Sequence, residues 1–164
     1  MSKFKFPLVI LLGILAFSAC EKDDICIDAD TPRLIIRFVD ALDTTISKDV
    51  QNLVVIGLDE MGVRDTIPNV ALDSIILSLR PNATSTSFTL KRALSITDKN
   101  TDTITFNYEA KEVFKSRACG YTVNYENLQA ALTIKNPDSI WIKGIIIDTA
   151  LIENSAATHV KILH

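Results

Sequence analysis

Apolar and polar residues alternate with a period of two along much of the chain, the spacing of a half-buried strand. The stretch "RLIIRF" puts Leu34, Ile36 and Phe38 on one face and Arg33, Ile35 and Arg37 on the other. "DTITFNY" sets Ile104, Phe106 and Tyr108 against Thr103, Thr105 and Asn107, and "THVKIL" sets Val160 and Ile162 against His159, Lys161 and Leu163. Further strands are expected at 53–58, 74–79, 87–91, 94–97, 121–125, 132–135 and 140–148, separated by the turn signals "RPNA", "DKNTD" and "KNPD". Only "YEAKEVF" and "ENLQAAL" have a spacing that suits short helical turns. Many short strands with polar turns and no βαβ rhythm predict an all-β protein, an antiparallel β-sandwich (Ig-like or jelly-roll-like) of about 8–10 strands. It is expected as a single domain over 32–164.

The first 19 residues follow a different pattern. Lys3 and Lys5 make a positive start, and Leu8 to Phe17 is an apolar run too short for a membrane-crossing helix, which needs about 20 such residues. Ser18 and Ala19 then precede Cys20. This resembles a bacterial lipobox, with Phe17 where leucine is commonest. The resemblance implies a lipoprotein signal peptide over 1–19, removed when the Cys20 thiol receives a diacylglycerol. Two or more acyl chains anchor stably where one does not. The alternative is an ordinary secretory signal cut near Ala19. The acidic stretch Glu21-Lys22-Asp23-Asp24 reads as a solvated spacer within a tether over 20–31. It also resembles the lysine-plus-acids export signal of surface lipoproteins in the Bacteroidota, which favours the cell surface over the periplasmic face.

Cysteine usage fits the same compartment. With Cys20 lipidated, Cys26 and Cys119 remain as an even pair where disulfides persist, and a Cys26–Cys119 bridge is expected, with two buried thiols as the alternative. Closing so long a loop contributes roughly 4–5 kcal/mol in the chain-entropy account. The chain between Cys20 and Cys26 spans at most ~3.6 Å per residue, so the bridge would hold the domain within about 20 Å of the bilayer. A structural zinc site is not expected: it needs four ligands, and the two histidines, His159 and His164, have no paired cysteines near them.

Charge removes one class of partner. Without Lys3 and Lys5 the 17 basic residues fall to 15 against 20 acidic ones, a net charge of −5, and there is no basic stripe to neutralise phosphates. Nucleic acid is therefore not an expected partner. Asp98, Asn100, Asp102 and Glu109 match ligand positions of a calcium-binding EF-hand loop, but Thr103 stands where that loop needs glycine, so the stretch reads as an Asx-rich turn entering a strand. No serine sits on a glycine elbow, and Cys119 is taken by its bridge. No catalytic constellation, metal site or cofactor is expected. Tyr121, Val123 and Tyr125 share a strand face and read as core. Trp141 shares a face with Lys143 and is the candidate exposed aromatic for a glycan platform, while His159 is expected at the surface.

The triplet Asp, Ser or Thr, then an apolar residue or Thr recurs at Thr44, Thr66, Ser74, Thr103, Ser139 and Thr149, against about one expected from composition. It resembles the O-glycosylation motif of exported Bacteroidota proteins; the same pattern also suits a turn opening into a strand.

In order along the chain, "CEKDDIC", "TPRLIIRF", "SRACGY", "WIKGIII" and "THVKI" resemble a family of small Bacteroidota envelope lipoproteins of uncharacterised activity. The resemblance implies a disulfide-linked all-β domain held to the outer membrane by lipid on Cys20. The expected role is a non-enzymatic interaction or structural protein of the envelope, its partner an unidentified envelope protein or glycan. A surface glycan-binding accessory is the alternative.

Overall fold

The computed structural model describes residue 26 and residues 31–58, 66–93, 99–133 and 140–164. The segment 1–19, Cys20 and Ser139 lie outside the described residues, as does the strand expected at 94–97. The strands are β1 (Leu34–Val39), β2 (Val50–Leu58), β3 (Thr66–Leu72), β4 (Ser74–Leu77), β5 (Ser85–Ala93), β6 (Lys99–Ser116), β7 (Gly120–Thr133), β8 (Gly144–Ile147) and β9 (Val160–Leu163). They form two sheets, ordered β4-β1-β9-β8 and β3-β2-β5-β6-β7.

The expected sandwich is present, with one departure. β1 and β9 run parallel, Ile36 opposite Val160 and Phe38 opposite Ile162, so the four-stranded sheet is mixed. The five-stranded sheet is antiparallel throughout. The core lies between the sheets. Leu34, Ile36 and Phe38 with Val160 and Ile162 face Leu53, Val55, Leu90, Ile104 and Phe106, all at most 1% exposed. These are the alternating positions of the sequence pattern, and their burial is the main stabilising term.

Two asparagines reset that alternation. Asn52 and Asn127 hold left-handed backbone, φ 52° and 55°, which asparagine adopts more readily than most residues. Each sits at a register shift, Asn52 between the pairs made by Val50 and Leu53, and Asn127 opposite the shift between Asn107 and Glu109. The inward face therefore steps from Val50 to Leu53 in β2 and from Tyr125 to Leu128 in β7.

Both expected helical turns are strand instead. "YEAKEVF" lies in β6 and "ENLQAAL" in β7, and β6 and β7 pair along most of their length. The bulge at Asn127 spaces Tyr125, Leu128 and Leu132 three and four apart, which imitates a helical face. β3 was not expected, and it contains Pro68. β3 is an edge strand, where a residue without a backbone donor is tolerated.

Buried polar groups tie the layers together. Asp102 is 4% exposed, and its Oδ2 accepts from the backbone N–H groups of Trp141 and Ile142, both at 3.0 Å. It acts as a structural acceptor. Tyr125 donates through its hydroxyl to the Leu79 carbonyl at 3.0 Å, and Tyr108 to the Arg80 carbonyl at 2.8 Å. Their rings meet edge to face with centroids 5.1 Å apart, so the pair clamps the β4–β5 connection onto β6 and β7.

Candidate functional site

The turn between β6 and β7 is built by local chemistry. Arg117, Ala118 and Cys119 form the loop, Gly120 follows at φ +69°, and the Cys119 N–H donates to Ser116 Oγ at 3.0 Å. Glycine supplies the left-handed residue that closes a short hairpin loop without steric cost. Cys119 is disulfide-bonded to Cys26 with Cα atoms 4.9 Å apart, inside the window this bond requires. The expected bridge is formed, and it ties the N-terminal chain to the hairpin end.

That end projects. β5 pairs with β6 only as far as Ser85–Asn107, while β6 and β7 stay paired out to Ser116 and Gly120. Past the Ala110–Tyr125 pair, where Tyr125 still bridges Ile152, the hairpin continues as a two-stranded ribbon about 20 Å long at ~3.4 Å per residue. Near its tip Phe114 and Tyr121 lie directly opposite each other, 55% and 69% exposed. Their rings meet edge to face at 65°, centroids 5.4 Å apart. Lys115 and Arg117 beside them are exposed, and between Val113 and Tyr121 there is no acidic residue. Further back, Lys111 pairs with Glu126 at 3.2 Å.

Among the described residues this is where the exposed aromatics are, and the sequence pointed elsewhere. Tyr121 was expected in the core with Tyr125; the ribbon carries it past the sandwich, and only Tyr125 is buried. Trp141, the candidate exposed aromatic, is 1% exposed. It packs against Phe38 and His164, receives the Arg92 guanidinium over its ring at 5.5 Å, and donates from Nε1 to the Leu90 carbonyl at 3.4 Å. Asp102 draws its backbone inward, which alternation with Lys143 could not reveal. His159, expected at the surface, is 3% exposed, and its Nδ1 accepts from the Ile35 N–H at 3.1 Å. Burial lowers its pKa, a backbone hydrogen bond at Asn154 opposing in part. The Phe114–Tyr121 pair was legible only through "SRACG" read as a hairpin turn, with the two rings about equally far from it.

The candidate O-glycosylation residues divide by exposure. Thr66 and Thr149 are exposed, while Thr44, Ser74 and Thr103 are half-buried. Ser74 Oγ donates to Asp73 Oδ1 at 3.0 Å, and Thr103 shares a 3.4 Å hydroxyl contact with Thr89.

A cleft of about 340 Å³ opens between the sheets, lined by Val55, Ile67, Leu77 and Phe88 with Arg80 and Thr86 at its polar side. Arg80 Nη2 donates to the Ser85 carbonyl at 2.8 Å. Its lining holds no carboxylate, histidine or cysteine. Among the described residues no group of three or more His, Cys, Asp or Glu side chains converges as a metal site. No helix among them is long and apolar enough to cross a membrane.

Residues 52–164 match DUF6452, a family of unknown function. Neither a curated protein nor a solved structure matches the chain.

Proposed function

The chain belongs to the DUF6452 family, and from that premise we propose that it is a lipoprotein anchored to the outer membrane through Cys20, acting as a non-enzymatic interaction or structural protein of the envelope. The observation that carries this reading is the Cys26–Cys119 bond. It consumes two of the three cysteines, as an oxidising compartment favours, and leaves Cys20 directly after the apolar run. The acidic residues after Cys20 favour the cell surface over the periplasmic face. Replacing Cys20 with alanine should release the protein from membranes and abolish lipid labelling. Retention of the Cys20→Ala protein in the membrane fraction would overturn the anchor. Protease added to intact cells separates the two faces: a surface protein is cut, a periplasmic one is spared.

O-glycosylation is part of the same proposal, with Thr66 and Thr149 the favoured sites because their side chains are exposed. Protein from its own host should exceed the mass of polypeptide plus lipid, with the excess mapping to these residues. The glycan-binding alternative loses Trp141 as its platform, and the edge-to-face Phe114–Tyr121 pair offers no flat shared surface for a sugar.

A further inference from the structure

We infer that the end of the β6–β7 hairpin is a membrane-docking foot, seated in the headgroup layer of the bilayer that holds the acyl chains of Cys20. This rests on the lipid-anchor reading and goes beyond it, since an anchor alone sets neither contact nor orientation.

Three observations converge on this end. The first is reach. Cys26 is bonded to Cys119 at the tip, and the chain from Cys20 to Cys26 spans at most about 20 Å at ~3.6 Å per residue. The hairpin end is therefore the part of the described fold held nearest the lipid. The second is surface chemistry. Phe114 and Tyr121 expose a paired aromatic surface, apolar in body and carrying one phenol hydroxyl, the character of side chains enriched where hydrocarbon meets headgroup. The third is charge. The mature chain is acidic, and the bonded tether carries Asp24 and Asp28 two residues either side of Cys26, yet the hairpin's own tip carries Lys115 and Arg117 with no acidic residue between Val113 and Tyr121. Long cationic side chains flanking buried aromatics can extend to lipid phosphates.

The fold also fixes which end faces away. The register places the β1–β2 loop, with Leu42 98% exposed at its crest, at the opposite end of the strands from the hairpin turn. The two ends are separated by a distance on the order of 50 Å, the length of β6 at ~3.3 Å per residue. Docking the foot would stand the sandwich on its hairpin and present the Leu42 loop outward.

The test uses the full chain, lipidated in its own host and reconstituted into vesicles of phosphatidylethanolamine and phosphatidylglycerol, with or without bromine high on the acyl chains. Phe114→Trp, Tyr121→Trp and Leu42→Trp are compared, each at an exposed site, with buried Trp141 as a constant background. The two hairpin variants should lose emission on brominated vesicles, and Leu42→Trp should not. Lys115→Glu combined with Arg117→Glu should weaken the loss without changing the mass of the lipidated Cys20 peptide. Lipid present on Cys20 with no quenching at the hairpin overturns docking and leaves the anchor standing. Quenching that survives the charge reversal overturns the role of phosphate. Emission changes that follow protein concentration rather than bromine point to a second copy of the chain and also overturn docking. Absence of lipid on Cys20 overturns the anchor and the foot together.

Discussion

A buried carboxylate with two backbone donors is expensive to remove and cheap to keep. Asp102 Oδ2 satisfies the N–H groups of Trp141 and Ile142, which lead the chain from one sheet towards the other. Asp102→Ala should leave both donors without a partner and destabilise the protein by about 3 kcal/mol, whereas Asp102→Asn, which keeps an acceptor oxygen, should cost about 1 kcal/mol. Chemical denaturation of the three proteins measures the difference. The histidines set a pH dependence. His159 is held below its usual 6.5 by burial, and His164 likewise by burial, with Lys48 and Arg92 lowering it further and backbone bonding at Lys48 and the Asp40 charge opposing. Because folding favours the neutral form, the unfolded chain takes up protons first as pH falls. Their stabilisation is complete above pH ~6.5 and is lost as pH drops through the depressed folded values. The melting temperature should therefore fall between about pH 7 and pH 5, and His159→Gln should flatten that decline. A flat profile in the unaltered protein would contradict the assignment.

Among the elements, what the sequence revealed depended on how regular each strand is. β1, the first half of β6 and β9 alternate without interruption and face a core on one side, so period two alone located them and their buried faces. The middle of β7 and the outer part of β6 were misread, for two different physical reasons. In β7 the bulge at Asn127 shifts the inward face by one residue. In β6 past Tyr108, residues Glu109 to Glu112 are exposed, so no burial enforces alternation and Glu, Ala and Lys mix freely. The side chains of Trp141 and His159 flank strands rather than lie within them, and contacts between layers decide their burial, which local spacing does not encode. The bulge itself can be tested. Asn127→Gly should be nearly neutral, since glycine accepts φ 55° freely, while Asn127→Val should lose about 1–2 kcal/mol in thermal unfolding, because a β-branched residue is strained there.

At the scale of the whole molecule, one covalent link and one strand pairing determine how the fold is assembled. The Cys26–Cys119 bond spans 93 residues, and counting cysteines was enough to anticipate it. Replacing both cysteines with serine should cost about 2–5 kcal/mol in denaturant unfolding, and the hairpin end should exchange its amide protons faster. The parallel pairing of β1 with β9 has a temporal consequence. β9 lies between β1 and β8, so the four-stranded sheet has no centre until the last strand along the chain is available. Contacts of such sequence separation form slowly and late. A chain made or threaded from its N-terminus therefore passes through most of its length with β1 unpartnered on that side and the core open. The four-stranded sheet, and with it the core, can close only after residue 163 has emerged.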